Sequence, residues 1–147
     1  MTSPRQSETN STSVGVRRLG YLTGIAVSSG ILFVANSVLP WNVVPFLTAD
    51  FEQILPVVNV SLVSSIAANA VWVLYDAAWI RTAGQIVLNV VGIAMFALTL
   101  RVFPFDFSAY QFDWELLIRL TLVGLIIALV IATIVEIVKL ISTFVNS

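Results

Sequence analysis

Residues 122–135 read LVGLIIALVIATIV, and a helix with this sequence is apolar on every side except at Thr133. A helix of a soluble bundle needs a polar face toward water, with its apolar residues spaced three and four apart. This segment has no such face, which favours contact with lipid on one side and with protein on the other. The stretch therefore predicts a membrane span.

Three further apolar runs have a similar length. Residues 19–49 contain no charged side chain, and apolar runs at 53–75 and 82–100 follow. About 20 apolar residues cross the roughly 30 Å hydrocarbon core of a bilayer as a helix. We therefore expect an all-α integral membrane four-helix bundle made of two helical hairpins, with spans at about 20–39, 53–75, 82–101 and 116–138 of a domain covering residues 17–147.

Composition excludes several functional classes. Only 10% of the 147 residues are charged and the net charge is −1, so no basic surface for nucleic acid is expected. The absence of cysteine excludes disulfides, thiolate nucleophiles and zinc–thiolate sites, and the absence of histidine removes the commonest general base and metal ligand. We expect no cofactor and no enzymatic activity.

The first 16 residues are rich in Ser, Thr and Asn and predict a disordered polar tail. A cleaved signal peptide is the alternative, with Arg17 and Arg18 as its basic region and Ala35-Asn36-Ser37 as its cleavage site. The apolar run is longer than the core of such a peptide, which favours a first span that is retained.

Proline and capping patterns suggest where the helices begin and end. Pro40 is expected to end the first span, because proline lacks an amide proton and clashes with the preceding turn. Two capping boxes, Asp50 with Gln53 and Thr82 with Gln85, are expected to open the second and third spans.

The distribution of basic residues predicts the orientation. With the N-terminus inside, the inner side holds five basic residues and the outer side holds two: Arg5, Arg17, Arg18, Arg81 and Lys139 against Arg101 and Arg119. The positive-inside rule then places both termini in the cytoplasm. Glu115 with Arg119 and Glu136 with Lys139 are expected to pair near the ends of the fourth span.

Three amides inside the spans are candidate interhelical polar contacts: Asn59, Asn69 and Asn89. Asn69 and Asn89 lie at similar depth in neighbouring antiparallel spans, so we expect them to hydrogen-bond to each other. These amides either join the helices or line a polar path for a small solute along spans two and three.

The two outer loops are rich in aromatic residues and acids. Their candidate interaction surface consists of Trp41, Phe46, Phe103, Phe105, Phe107, Tyr110 and Trp114. Such rings often form a belt at headgroup depth. The alternatives are a lid of two packed loops over the bundle, or a docking surface for a partner.

One set of residues resembles a known group of proteins: Asp50-Phe51-Glu52, Leu55-Pro56, Asn59-Val60-Ser61, Asn69, Tyr75-Asp76, Trp79, Asn89 and Val102-Phe103-Pro104-Phe105-Asp106. The stretch is similar to small uncharacterised four-span membrane proteins of bacteria and, more loosely, to the membrane part of HAAS signalling-domain proteins. The resemblance implies a bacterial cell membrane. It assigns no functional residues, and the soluble helical HAAS module is missing here.

These observations favour a non-enzymatic multi-pass protein of the cell (inner) membrane. Its expected partners are the lipid bilayer and either another membrane protein, which it would serve as an accessory or regulatory subunit, or a second copy of itself. A small transporter or channel is the alternative. A lipid-modifying enzyme at the outer interface is a third possibility, with Asp106, Asp113 and Glu115 as its carboxylates.

Overall fold

The computed structural model describes residues 4–38 and 43–146, with side chains from Ser13 onward. It has four α-helices and one π-helical turn that continues the first of them: α1 (Pro4–Phe33), the turn Val34–Val38, α2 (Phe51–Leu74), α3 (Ala78–Val102) and α4 (Trp114–Val145). The described residues contain no strand, only one isolated bridge between Leu47 and Phe105. The all-α prediction is confirmed.

Each helix packs chiefly on its neighbour in sequence, α1 on α2, α2 on α3 and α3 on α4. The three-residue turn 75–77 makes α2 and α3 antiparallel, and the longer loops before α2 and after α3 reverse the chain direction in the same way. The turn 75–77 lies at one end of the bundle, together with the N-terminal end of α1 and the C-terminal end of α4. We call this the turn end. The loops 43–50 and 103–113 lie at the other, which we call the loop end.

The helices expose apolar side chains that a soluble protein would bury. Ile127, Ile131 and Ile134 on α4 are each more than half exposed. All four helices contain a segment long and apolar enough to cross a membrane, and at most 17% of any such window is buried within the protein. Contiguous apolar surface of this extent indicates lipid contact. The prediction of four spans is confirmed, and the fold is that of a multi-pass membrane protein.

The start of α1 differs from the sequence prediction. The backbone is helical from Pro4 onward, whereas residues 1–16 were expected to form a disordered tail. Adding a turn to an existing helix is far less costly than nucleating one, and proline is favoured at the first helical position. The end predicted for this span, at Leu39 and Pro40, lies outside the described residues.

Neither predicted capping box forms its side-chain-to-backbone hydrogen bonds, although Asp50 does lie at the N-cap position of α2. α3 begins at Ala78, so Thr82 lies inside the helix and does not cap it. Asp50 precedes α2 in a helical conformation, and its carboxylate accepts a hydrogen bond from the Gln53 amide at 2.8 Å, not from a backbone amide. The side-chain cap that does form is Asp113, which accepts from the Leu116 backbone N–H at 3.0 Å and opens α4.

Candidate functional site

The two loops at the loop end are joined through their backbones. The Thr48 N–H donates to the Pro104 carbonyl at 3.0 Å, and the Asp106 N–H donates to the Phe46 carbonyl at 2.9 Å. Pro104 is fully buried. Because backbone bonds fix the relative position of two segments, the side chains of both loops share one surface.

Aromatic rings extend this contact. Phe46 of the first loop stacks on Phe107 of the second, with ring centroids 5.9 Å apart. Phe105 and Tyr110 contact the same Phe107 ring at 6.0 and 6.3 Å. We call the whole set the aromatic layer, defined as Phe46, Phe103, Phe105, Phe107, Tyr110, Phe112 and Trp114. Trp41, predicted as part of this surface, lies outside the described residues.

The aromatic layer borders a cleft of about 360 Å³ whose walls are almost wholly apolar. The loops contribute Phe46, Phe107 and Tyr110 to its lining, and the first turns of α4 contribute Trp114 and Ile118. Tyr110, Phe112 and Trp114 remain 45%, 60% and 41% exposed. The layer is thus partly packed and partly open.

A strained residue of this layer fixes the end of α3. Phe103 has φ +44°, a left-handed conformation that is uncommon for a bulky residue. Its ring contacts Phe105 at 5.4 Å and lies 4.0 Å from the Arg119 guanidinium. Arg119 also pairs with Glu115 at 3.0 Å, as the sequence predicted. These contacts hold the strained turn in place.

The loop carboxylates do not converge on one point. Asp106 accepts from the Ser108 N–H, Asp113 caps α4, and Glu115 pairs with Arg119. The Ser108 hydrogen bonds hold the pKa of Asp106 below its ordinary value, so this group stays ionised. Throughout the described part of the chain, no three acidic side chains are placed to hold a metal ion.

The amides predicted as interhelical contacts have three different surroundings. Asn59 forms a reciprocal pair with Asn36 of the π-helical turn, at 2.8 and 2.9 Å. Asn69 donates to the Ser65 carbonyl of its own helix at 2.8 Å and lies against Gly24 of α1. The structure does not bring Asn69 and Asn89 together, because the polar face of α2 points to α1 and not to α3.

Four facing pairs define a regular polar seam between α1 and α2. The facing pairs are Arg17 with Asp76, Tyr21 with Trp72, Gly24 with Asn69, and Ser28 with Ser65. From one pair to the next, the residue number on α2 decreases by as much as the residue number on α1 increases. This is the register of an antiparallel pair. The Asn36–Asn59 pair departs from it, since a π turn holds an additional residue.

Asn89 lies inside α3 and is 2% exposed. Its oxygen accepts from the Gln85 amide one turn earlier at 3.0 Å, while its nitrogen has no hydrogen-bond partner among the described residues. A buried donor without a partner costs free energy, so a water molecule or a ligand group is expected nearby.

Sequence analysis missed the charge cluster at the turn end. Asp76 accepts from Arg17 at 2.9 Å, from Arg81, and from the Tyr21 hydroxyl at 3.4 Å. The bond from Arg17, then that from Arg81, holds the pKa of Asp76 below its ordinary value. Arg17 and Asp76 are 59 residues apart in the chain, so no local motif links them. The sequence signal that could have indicated the cluster is an acidic residue in the turn, Asp76, with basic residues near the adjacent helix ends.

Comparison of the chain with protein-family models, with curated proteins and with solved structures finds no match.

Proposed function

We propose that this protein is a non-enzymatic accessory subunit of the cell membrane, and that its aromatic layer binds a basic, apolar segment of a partner membrane protein. The observation that carries the proposal is the assembly of the layer from two loops joined by backbone hydrogen bonds. A surface ordered before binding loses less conformational entropy when a partner associates.

The side chains of the layer suit an interface. Aromatic residues are enriched at the buried centres of interfaces, where they supply most of the binding energy. Tyr110, Phe112 and Trp114 combine exposed rings with a neighbouring apolar cleft, so a partner side chain would have both a surface and a pocket to occupy.

Charge identifies the chemistry of the partner. The loop end and its adjoining helix ends carry five carboxylates against two guanidinium groups: Asp50, Glu52, Asp106, Asp113 and Glu115 against Arg101 and Arg119. Two such acidic surfaces repel each other, which disfavours a second copy of the chain in direct loop-to-loop contact. A segment with Lys or Arg beside apolar residues complements both the charge and the cleft.

Orientation and location belong to the same proposal. The turn end carries most of the basic residues, so the positive-inside rule places this end and both termini in the cytoplasm. The aromatic layer then faces the outer side of the membrane. A bacterial cell membrane agrees with the resemblance of residues 50–106 to small four-span bacterial proteins.

A photo-crosslinking residue at Phe112 tests the proposal in native membranes. We expect an adduct that maps to a basic, apolar segment of another membrane protein and is lost when Asp106 and Asp113 are replaced by Lys. The control position is Ile131, whose exposed side chain lies in the middle of α4. Adducts with lipid alone, or only with a second copy, would overturn the proposed partner.

A small transporter or channel is the second candidate, and one observation favours it. The unpartnered nitrogen of Asn89 lies beyond Gln85, which itself lines a polar cavity at the turn end. Any polar path therefore follows α3, since Asn59 pairs with Asn36 of the π-helical turn. In this cysteine-free chain, Asn89→Cys should then react with a water-soluble thiol reagent and Asn59→Cys should not; protection of both excludes this candidate.

A further inference from the structure

A polar cavity of about 310 Å³ lies at the turn end, between all four helices. Its volume is at the small end of the range for ligand sites, comparable to a lipid headgroup or a small metabolite. It is lined by Tyr21 of α1, Trp72 of α2, Arg81, Thr82 and Gln85 of α3, and Glu136 of α4. Because every helix contributes, the bundle itself forms the site.

Two opposite charges face this cavity without pairing with each other. Arg81 binds Asp76 through Nη1, and Glu136 binds Lys139 through Oε1 at 2.8 Å. Among the described residues, Arg81 Nη2 and Nε and Glu136 Oε2 have no hydrogen-bond partner. Each of these two lining side chains therefore has an unused hydrogen-bonding atom and is held in place by its own counter-ion.

The helix register sets the depth of the site. Gly92 of α3 packs against Leu129 of α4, and two turns further toward the turn end Gln85 reaches the level of Glu136. Gln85 lies about 10 Å from the start of α3, at a rise of about 1.5 Å per residue. A helix of 25 residues is about 38 Å long, so when centred on a hydrocarbon core of about 30 Å it places Gln85 about 6 Å inside the core, whereas Arg81, about 5 Å from the helix start, lies near the boundary with the headgroups. A lipid headgroup or a solute from the aqueous side both reach the site at Arg81.

The aromatic wall favours a cationic group at one side of the cavity. The rings of Tyr21 and Trp72 contact each other with centroids 5.6 Å apart. Aromatic faces attract ammonium groups, particularly where a carboxylate lies nearby and water is partly excluded. Glu136 supplies that carboxylate, and its side chain is only 18% exposed.

We infer that this cavity binds a small zwitterion, an ammonium group joined by a short chain to a phosphate or carboxylate. The ammonium lies between Glu136 and the Tyr21–Trp72 wall, and the anion accepts hydrogen bonds from Arg81. The zwitterion is either free or the headgroup of a lipid, because both present the same two charges. This inference does not depend on the proposed subunit function, since it concerns the opposite end of the bundle.

Native mass spectrometry of the detergent-purified full chain tests the inference. The probes are phosphatidylethanolamine, phosphatidylglycerol and a cationic trimethylammonium-propane lipid with the same acyl chains. We expect phosphatidylethanolamine to be retained about tenfold more strongly than either single-charge lipid, since each of these loses one charge-assisted contact. Equal retention of the three lipids, with no binding of soluble phosphoethanolamine, would overturn the inference.

Soluble phosphoethanolamine distinguishes the two sources. If it displaces the bound lipid, the site recognises the zwitterion itself; if it binds while no lipid is retained selectively, the ligand is a free solute. Glu136→Gln should weaken binding of the zwitterion about tenfold and leave phosphatidylglycerol unchanged. The matched control is Glu115→Gln, which removes a carboxylate at the loop end and should change neither; an effect equal to that of Glu136→Gln would also overturn the inference.

Discussion

The two ends of this bundle are held together by different interactions. At the turn end, the Asp76 carboxylate lies between the guanidinium groups of Arg17 and Arg81. At the loop end, backbone hydrogen bonds and stacked rings such as Phe46 and Phe107 join the loops. The Asp76 charge is thus neutralised within the fold at the turn end, whereas at the loop end Glu115 is the one carboxylate among the described residues that forms an ion pair.

Two aspartates make the contrast specific. The pKa of Asp76 and that of Asp106 are both lowered, but the causes differ. Asp76 is stabilised by side chains from α1 and α3, so its ionised form joins separate helices. Asp106 is stabilised by Ser108 of its own loop, so its ionised form orders only that loop. A lowered aspartate pKa therefore accompanies contacts between helices at the turn end and contacts within a single loop at the loop end.

The largest expected effect is that of Gly84→Ala at the turn end. A Cβ at this position would lie 2.9 Å from Cζ2 of the Trp72 ring, which is closer than Cβ contacts allow. Overpacking of this kind costs about 1–3 kcal/mol, measurable as a lower free energy of unfolding in bicelles. Gly124→Ala is the control, because nothing lies within 4 Å of a Cβ there and alanine favours a helix. Equal losses at both positions would contradict the packing described.

Asp76→Asn should have the next largest effect and should change the pH dependence of stability. A folded-state pKa below the ordinary value of 3.8 means that the ionised form stabilises the fold above this pH. That contribution is lost as the pH falls through the folded-state pKa. The thermal midpoint of Asp76→Asn should therefore be lower at pH 7, and it should fall less than that of the wild type between pH 5 and pH 3. Parallel curves for the two proteins would show that the cluster does not stabilise the bundle.

The Asn36–Asn59 pair should contribute a smaller amount. Interhelical hydrogen bonds in membranes contribute about 0.6 kcal/mol on average. A double-mutant cycle with Asn36→Leu and Asn59→Leu should give a coupling free energy of this order. No coupling would mean that the reciprocal bond adds nothing beyond packing.

Much of the fold follows from the sequence, because each span is defined by local composition. The four spans and the pairs Glu115–Arg119 and Glu136–Lys139 depend on residues near each other in the chain. The partner of Asn59 and the pairing of Asp76 with Arg17 depend on which helix faces move together. Hydropathy does not determine the rotation of a helix about its axis, so the expected contact between Asn69 and Asn89 was wrong.

The candidate sites show the same division. A lid of two packed loops was one of the interpretations that the aromatic residues left open, and the structure joins these two loops directly. The turn-end cavity combines residues of four helices, and no local motif marks it. Its most informative residue, Glu136, was predicted as half of an ion pair with Lys139.

Asp106→Asn should have the smallest effect on stability. Its hydrogen bonds lie within one exposed loop, so we expect no measurable change in the thermal midpoint. Removing the charge should still weaken capture of the basic partner. A fall in midpoint as large as that of Asp76→Asn would remove the distinction between the two ends.

Parallel measurement of partner capture and thermal unfolding for one variant at each end tests the central claim most directly. Tyr110→Ala removes an exposed ring of the aromatic layer, and Arg17→Gln removes one ion pair of the Asp76 cluster. We predict that Tyr110→Ala abolishes crosslinking from Phe112 and leaves the midpoint unchanged, whereas Arg17→Gln lowers the midpoint and leaves crosslinking intact below it. The reverse pattern, or loss of both properties in both variants, would contradict the assignment of partner binding to the loop end and of the main contribution to stability to the turn end.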